Sequence, residues 1–339
     1  MLHGHGDDAY LFRHKIKADF STNVWQEGEP EGLKEHLFDQ WHLVRKYPEV
    51  LAESLNRQVA HHYHLKTEQV LISNGTTESI YLIAQAYRGM KTTIATPAFS
   101  EYEDACRLHR HQLTFIPWDE LHDNSALGAE VLFICNPNNP TGSVFPSLEA
   151  LIHNHPQTMF VLDEAFIEFT LSIPSAVPLL NRYENLIILR SMTKAFAIPG
   201  LRLGYILANE KQIALLRDLK FPWSVNALAI EAGKFIFEHY GQLQLPIRPL
   251  LQEKEIFTNQ LQKINVKVQQ SHTHFFLAET AKGSAEELKQ YLIEHYGILI
   301  RDASNFRGLQ NKHFRLATLA PDQNQLLIQA LTTWNQRYT

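Results

Sequence analysis

Ser191-Met192-Thr193-Lys194-Ala195-Phe196-Ala197-Ile198-Pro199-Gly200-Leu201-Arg202-Leu203-Gly204-Tyr205 sets a lysine on a short turn between two apolar runs. Residues 185–190 (NLIILR) read as a buried strand ahead of it, and Gly200, Arg202 and Gly204 lie in a run that reads as a second strand behind it. A structural lysine lies along a solvated face and carries its ammonium to water. A lysine at a strand end between apolar strands tends to lose its proton by desolvation or serves as an amine nucleophile. On this stretch alone, a buried lysine paired with a carboxylate is the competing reading of Lys194.

Outward from this turn, strands alternate with helices. Strands are predicted at 69–73, 92–96, 113–117, 131–135, 158–163 and 185–190, and helices at 49–63, 79–87, 100–110, 147–153, 209–219 and 226–240. That alternation predicts an α/β fold with a mainly parallel sheet covered on both faces. Ligands in such sheets sit at the carboxyl ends of the strands. From about Pro246 the pattern changes to helix 246–263, strands 265–269 and 274–278, helix 284–296, strands 297–301 and 313–317, and helix 322–335. This reads as a smaller α+β domain. Residues 1–30 have no strong periodicity and read as an arm packed on another surface. The expected division is 1–30, 31–245 and 246–339.

The loops at the strand ends carry the chemistry. Asn74-Gly75-Thr76-Thr77-Glu78-Ser79 lies between a strand and a helix, where free N–H groups bind phosphate and glycine lets an oxyanion come close. An ordinary N-cap explains it equally well. Pro97-Ala98-Phe99-Ser100-Glu101-Tyr102 follows the next strand. Cys135-Asn136-Pro137-Asn138-Asn139-Pro140-Thr141-Gly142 places two Asn-Pro pairs in a rigid turn. Asp163 ends a buried strand and requires a partner there.

Together these stretches resemble the fold-type I pyridoxal-phosphate enzymes of the class I and II aminotransferase family. The resemblance covers nearly the whole chain and implies the aspartate aminotransferase-like fold. In that family the lysine forms a Schiff base with the cofactor aldehyde, which implies this role for Lys194. Ser191, Thr193, Arg202, Gly75, Thr76 and Thr77 are then ligands of the cofactor phosphate. Phe99, with Tyr102 second, stacks on the ring, Asn139 binds its 3′ oxygen, and Asp163 pairs with its protonated nitrogen. Family members often carry tyrosine where this chain has Phe166. The resemblance also implies a homodimer with the active site at its interface, where Tyr47 reaches the partner's cofactor phosphate.

Two further arginines bear on the substrate. Arg315 matches the family's carboxylate position, and a planar fork suits a carboxylate. Arg301 is then available for a second anion, which implies a small phosphorylated amino acid or amino alcohol. A structural salt bridge competes for each arginine. Two subfamilies use such a layout, the histidinol-phosphate aminotransferases and the L-threonine-O-3-phosphate decarboxylases. The HGHGDD start with the Asp19-Phe20-Ser21-Thr22-Asn23 stretch and four others look more like the latter, which adds His5 and Asn23 as substrate residues. The arm between HGHGDD and DFSTN is short, Trp25 stands where a small or polar residue is usual, and Leu319 replaces a common basic residue. A catalytically idle regulator of the same fold is the reading from another class, and the retained lysine, aspartate and phosphate arginine oppose it.

Composition bounds the rest. The 339 residues are 45% hydrophobic and 20% charged, with net charge −5, which implies no nucleic-acid partner. No apolar run is long enough to span a bilayer. The polar, acidic start is unlike a secretory signal, and two cysteines, Cys106 and Cys135, suit reduced thiols in the cytoplasm. The 18 histidines show no zinc spacing, so no metal is expected.

Overall fold

Residues 131–135 (VLFIC) and 186–191 (LIILRS) are near-continuous apolar runs, as strands buried on both faces must be. The structure is a computed structural model that describes residues 8–12 and 15–337. Its strands are β1 (Ala18–Asp19), β2 (Val70–Ser73), β3 (Lys91–Thr96), β4 (Gln112–Pro117), β5 (Val131–Cys135), β6 (Met159–Asp163) and β7 (Leu186–Ser191). They continue with β8 (Gly204–Ala208), β9 (Lys267–Val268), β10 (Phe275–Glu279), β11 (Ile298–Leu299), β12 (Arg301–Asp302) and β13 (His313–Ala317). The α-helices are α1 (Leu33–Asp39), α2 (Glu53–Tyr63), α3 (Gly75–Ala86), α4 (Ser100–Leu108), α5 (Leu148–Asn154), α6 (Glu210–Leu219), α7 (Ala227–Glu238), α8 (Ile247–Lys263), α9 (Ala285–Tyr296) and α10 (Pro321–Gln336).

The larger sheet has the order β2-β8-β7-β6-β5-β3-β4. All neighbours are parallel except β8, which runs antiparallel to both β2 and β7. This one reversal matters for the site. The carboxyl ends of β2, β3, β5, β6 and β7 share an edge, and β8 begins at that same edge. The residues just before β8, Arg202 among them, therefore arrive beside the loops that leave the other strands.

A smaller antiparallel sheet, β12-β13-β10-β9, packs a second core. Adjacent residues of β10 divide between the cores, with Phe275 in the larger and Phe276 in the smaller, as the alternation of a strand requires. Leu250 of α8 joins the larger core, and Phe257 and Leu261 join the smaller. The arm is tied down by β1, which pairs parallel with β11. The Phe20 N–H donates to Leu299 O at 2.8 Å, and Phe20 O accepts the Ala317 N–H at 3.0 Å.

Several boundaries differ from expectation. The run after Lys194 does not become a strand until Gly204, because Pro199–Leu201 forms a 3-10 turn ended by Arg202 in left-handed conformation. The strand predicted at 297–301 is two short pieces in different sheets. The helix predicted from 49 starts at Glu53, after Ala52 at φ 57. The helix predicted from 79 starts at Gly75, because the Glu78 carboxylate accepts the Asn74 N–H at 2.6 Å and closes the first turn.

Candidate active site

A cavity of about 880 Å³ opens at the shared strand edge. Its wall includes Thr76, Thr77, Phe99, Asn139, Asp163, Ser191, Thr193, Lys194 and Arg202 from the larger part of the chain, Asn23 from the arm, and Arg301 and Arg315 from the smaller sheet. Lys194 stands on the turn after β7, and its carbonyl accepts the Trp25 N–H at 2.9 Å. The unusual Trp25 thus anchors the arm to the lysine turn through its backbone.

Asp163 ends β6 and is buried. Its Oδ2 accepts the Tyr102 hydroxyl at 2.7 Å and its Oδ1 accepts the Ala165 N–H at 2.9 Å. Burial pushes its carboxyl pKa up, opposed by these two bonds and by the charge of Lys194. Tyr102 is therefore an orienting partner of Asp163, with its ring stacked on Phe133 at 5.4 Å. The expectation of Tyr102 as a second stacking candidate gives way to this role, which the sequence spacing of 61 residues concealed. Phe99 remains on the cavity wall, edge-on to Tyr102 at 6.0 Å.

The loop that opens α3 faces Arg202. Gly75 has φ +76, and a Cβ there would lie 2.7 Å from Arg202 Nη2. A side chain would meet both strain and contact. At Gly204 the limit is contact alone, since a Cβ would lie 2.9 Å from Arg190 O and 3.0 Å from Thr76 N. Opposite, Ser191 Oγ and Thr193 Oγ1 lie 2.8 Å apart. Two hydroxyls, a guanidinium and the unused N–H groups of a helix start form a cup for a tetrahedral anion.

On the smaller sheet, Arg301 and Arg315 are register partners on adjacent antiparallel strands, so both project from one face. Arg315 Nη1 donates to Asn139 Oδ1 and its Nη2 to Ser21 O, each at 2.5 Å. The first bond fixes the amide so that Asn139 Nδ2 points elsewhere. Arg301 Nη2 donates to Asn305 Oδ1 at 2.9 Å, and its Nη1 donates to Asp302 O. Burial and the neighbouring Arg301 pull the Arg315 pKa down to about 9, with Asp19 opposing. Burial lowers that of Arg301 as well. Asn23 is buried, and neither amide atom has a hydrogen-bond partner among the described residues.

Three expected residues are not in this wall, Gly75 among them, which instead backs Arg202 from the start of α3. Tyr47 is 83% exposed and packs on Trp223 at 5.2 Å. His5 lies outside the described residues. Phe166 lines the cavity with its ring edge on Phe275 at 4.8 Å, so no hydroxyl stands at that position. Sequence reading missed Arg307, which lines the cavity beside Glu103 and whose Nε and Nη2 donate to that carboxylate at 2.9 and 2.7 Å. Nothing local in the sequence signals a pair so far apart. Among the described residues no cluster of metal-ligating side chains occurs, and no helix is long and apolar enough to cross a membrane.

Comparison with known proteins shows the family and the fold. The aminotransferase class I and II family profile matches residues 15–331. The threonine-phosphate decarboxylase of Salmonella typhimurium is 32% identical over 92% of this chain and 90% of its own length. The histidinol-phosphate aminotransferase of Caldanaerobacter subterraneus subsp. tengcongensis is also 32% identical, over 85% of this chain and 84% of its own. Among solved structures, L-threonine-O-3-phosphate decarboxylase from Porphyromonas gingivalis superposes with TM-score 0.88 at 40% identity, over 94% of this chain and 99% of that one. The histidinol-phosphate aminotransferase of Sinorhizobium meliloti, in complex with pyridoxal-5'-phosphate, shares the fold with TM-score 0.87 at 19% identity, over 100% of this chain and 96% of that one. The chain belongs to the aminotransferase class I and II family.

Proposed function

From that family membership, we propose that the chain is a pyridoxal-phosphate-dependent decarboxylase of L-threonine O-3-phosphate, acting in cobalamin biosynthesis in the cytoplasm. The residues fit the cofactor. The anion cup at Gly75, Thr76, Thr77, Ser191, Thr193 and Arg202 suits its phosphate. Asp163 is a desolvated carboxylate whose raised pKa calls for a cation such as a protonated ring nitrogen. When bound, pyridoxal phosphate supplies an electron sink for the pair released from a broken bond at the substrate Cα.

The chain's own residues do the rest. Lys194 would hold the cofactor through Nζ, and its amine is the group placed to deliver a proton to the substrate Cα. Tyr102 and the Ala165 N–H keep Asp163 aimed at the ring nitrogen. Phe99 would cover the ring, and Asn139 would hold the ring oxygen through its free amide nitrogen. Arg315 holds the substrate carboxylate, and Arg301, with Asn23, holds the phosphate. The bond to the carboxylate breaks, CO2 leaves, and the proton from Lys194 takes its place.

The observation that carries this reading is the Arg301–Arg315 register pair. Like charges directly opposite on one face destabilise a sheet. A substrate with two anionic ends relieves that repulsion, and L-threonine O-3-phosphate has both. The 40% identical solved decarboxylase supports the same choice. Histidinol-phosphate aminotransferase is the second reading, favoured by a relative of that name at 32% identity. Its amino donor carries one anionic group but its oxo acid carries two, so the arginine pair also accommodates that reading, and the higher identity to the solved decarboxylase favours the first. Arg301→Met tests the assignment. The KM for L-threonine O-3-phosphate should rise about tenfold or more, the scale of one charge-assisted bond, while binding of L-threonine, which lacks the phosphate, should be unchanged. Equal losses with both substrates would count against it.

We also infer a homodimer. Phe38, Trp41, Val44, Tyr47, Val50, Phe221 and Trp223 are all exposed, and a second copy covering them would bring Tyr47 to the partner's cofactor phosphate.

A further inference from the structure

Lys220 follows α6 and lines no part of the cavity. Its side chain is 0% exposed. Its Nζ donates to Glu78 Oε2 at 2.8 Å and to Ser224 Oγ at 2.5 Å. The same Glu78 oxygen accepts the Asn74 N–H at the start of α3. Glu78 therefore occupies the positive end of α3, in the same turn as Thr76 and Thr77, which line the cavity. A carboxylate there repels any anion bound in the cup. Lys220 meets that carboxylate without entering the cavity. Burial lowers the Lys220 pKa, and Glu78 opposes the shift.

We propose that Lys220 is a positioning residue that neutralises Glu78 and thereby sets the affinity of the α3 start for the cofactor phosphate. The inference rests on the pyridoxal-phosphate reading above. A merely structural pair would join α6 to α3 with no preference for a phosphorylated ligand. The difference can be measured without turnover.

Cofactor-free wild type, Lys220→Met, Glu78→Gln and the double variant are titrated with pyridoxal phosphate and with pyridoxal, which lacks the phosphate, following tryptophan fluorescence. Lys220→Met should weaken pyridoxal phosphate about tenfold, the scale of one charge at a partly buried helix terminus, and leave pyridoxal unchanged. Adding Glu78→Gln should restore the wild-type value. Equal weakening of both ligands, or no restoration in the double variant, overturns the proposal. If Lys220→Met does not fold, Glu78→Gln decides. Its preference for pyridoxal phosphate over pyridoxal should rise above wild type, and a fall overturns the proposal. Wild type that binds neither ligand refutes the cofactor reading itself, and this inference with it.

Discussion

Lys194 is held by a contact that its neighbours in sequence do not reveal, the bond from the Trp25 N–H to its carbonyl. The lysine, Asp163, Asn139 and Arg202 were legible because each stands beside a strand end in a distinctive string. Tyr102 was legible as an aromatic but not as the donor to Asp163, since that role depends on where α4 docks. Trp25 looked like a departure, and its backbone bonds the Lys194 carbonyl while its side chain packs against the larger core. At this scale the account predicts that Lys194→Ala abolishes turnover yet still binds pyridoxal phosphate non-covalently. Absorbance spectra before and after denaturing gel filtration would check this. Full activity in that variant contradicts the assignment.

Elements explain how distant residues meet. Strand alternation made the larger sheet readable, because buried parallel strands are continuous apolar runs. The reversed β8 was not readable, and that reversal returns Arg202 to the edge where α3 begins. The start of α3 was also hidden. Gly75-Thr76-Thr77 are weak helix formers, and the turn is closed by Glu78 and Asn74 rather than by propensity. The split of 297–301 had the same cause, since partners in two sheets decide it. Gly204→Val should therefore act on the cup and not only on stability. Its side chain meets backbone on both sides and forces shifts of about 1–3 kcal/mol. Pyridoxal phosphate should bind more weakly relative to pyridoxal, as read by fluorescence titration. An unchanged ratio would show that the α3 start does not depend on β8.

In the molecule as a whole, the cavity takes one anion cup from the larger sheet and two arginines from the smaller. The arm crosses between them, with Phe20 fully buried and Ser21 O on Arg315. The fold class followed from pattern alone, whereas the arm's path did not, because two-residue β1 has no periodicity to read. The exposed aromatics around Tyr47 predict a dimer in sedimentation at micromolar concentration, which Trp41→Glu should weaken. A wild-type monomer at all concentrations would refute it.

The most direct measurement mixes the purified protein, loaded with pyridoxal phosphate, with L-threonine O-3-phosphate and no oxo acid. The account predicts CO2 and (R)-1-amino-2-propanol phosphate in equal amounts. No CO2 there, together with glutamate from histidinol phosphate and 2-oxoglutarate, would contradict it and make the enzyme a transaminase.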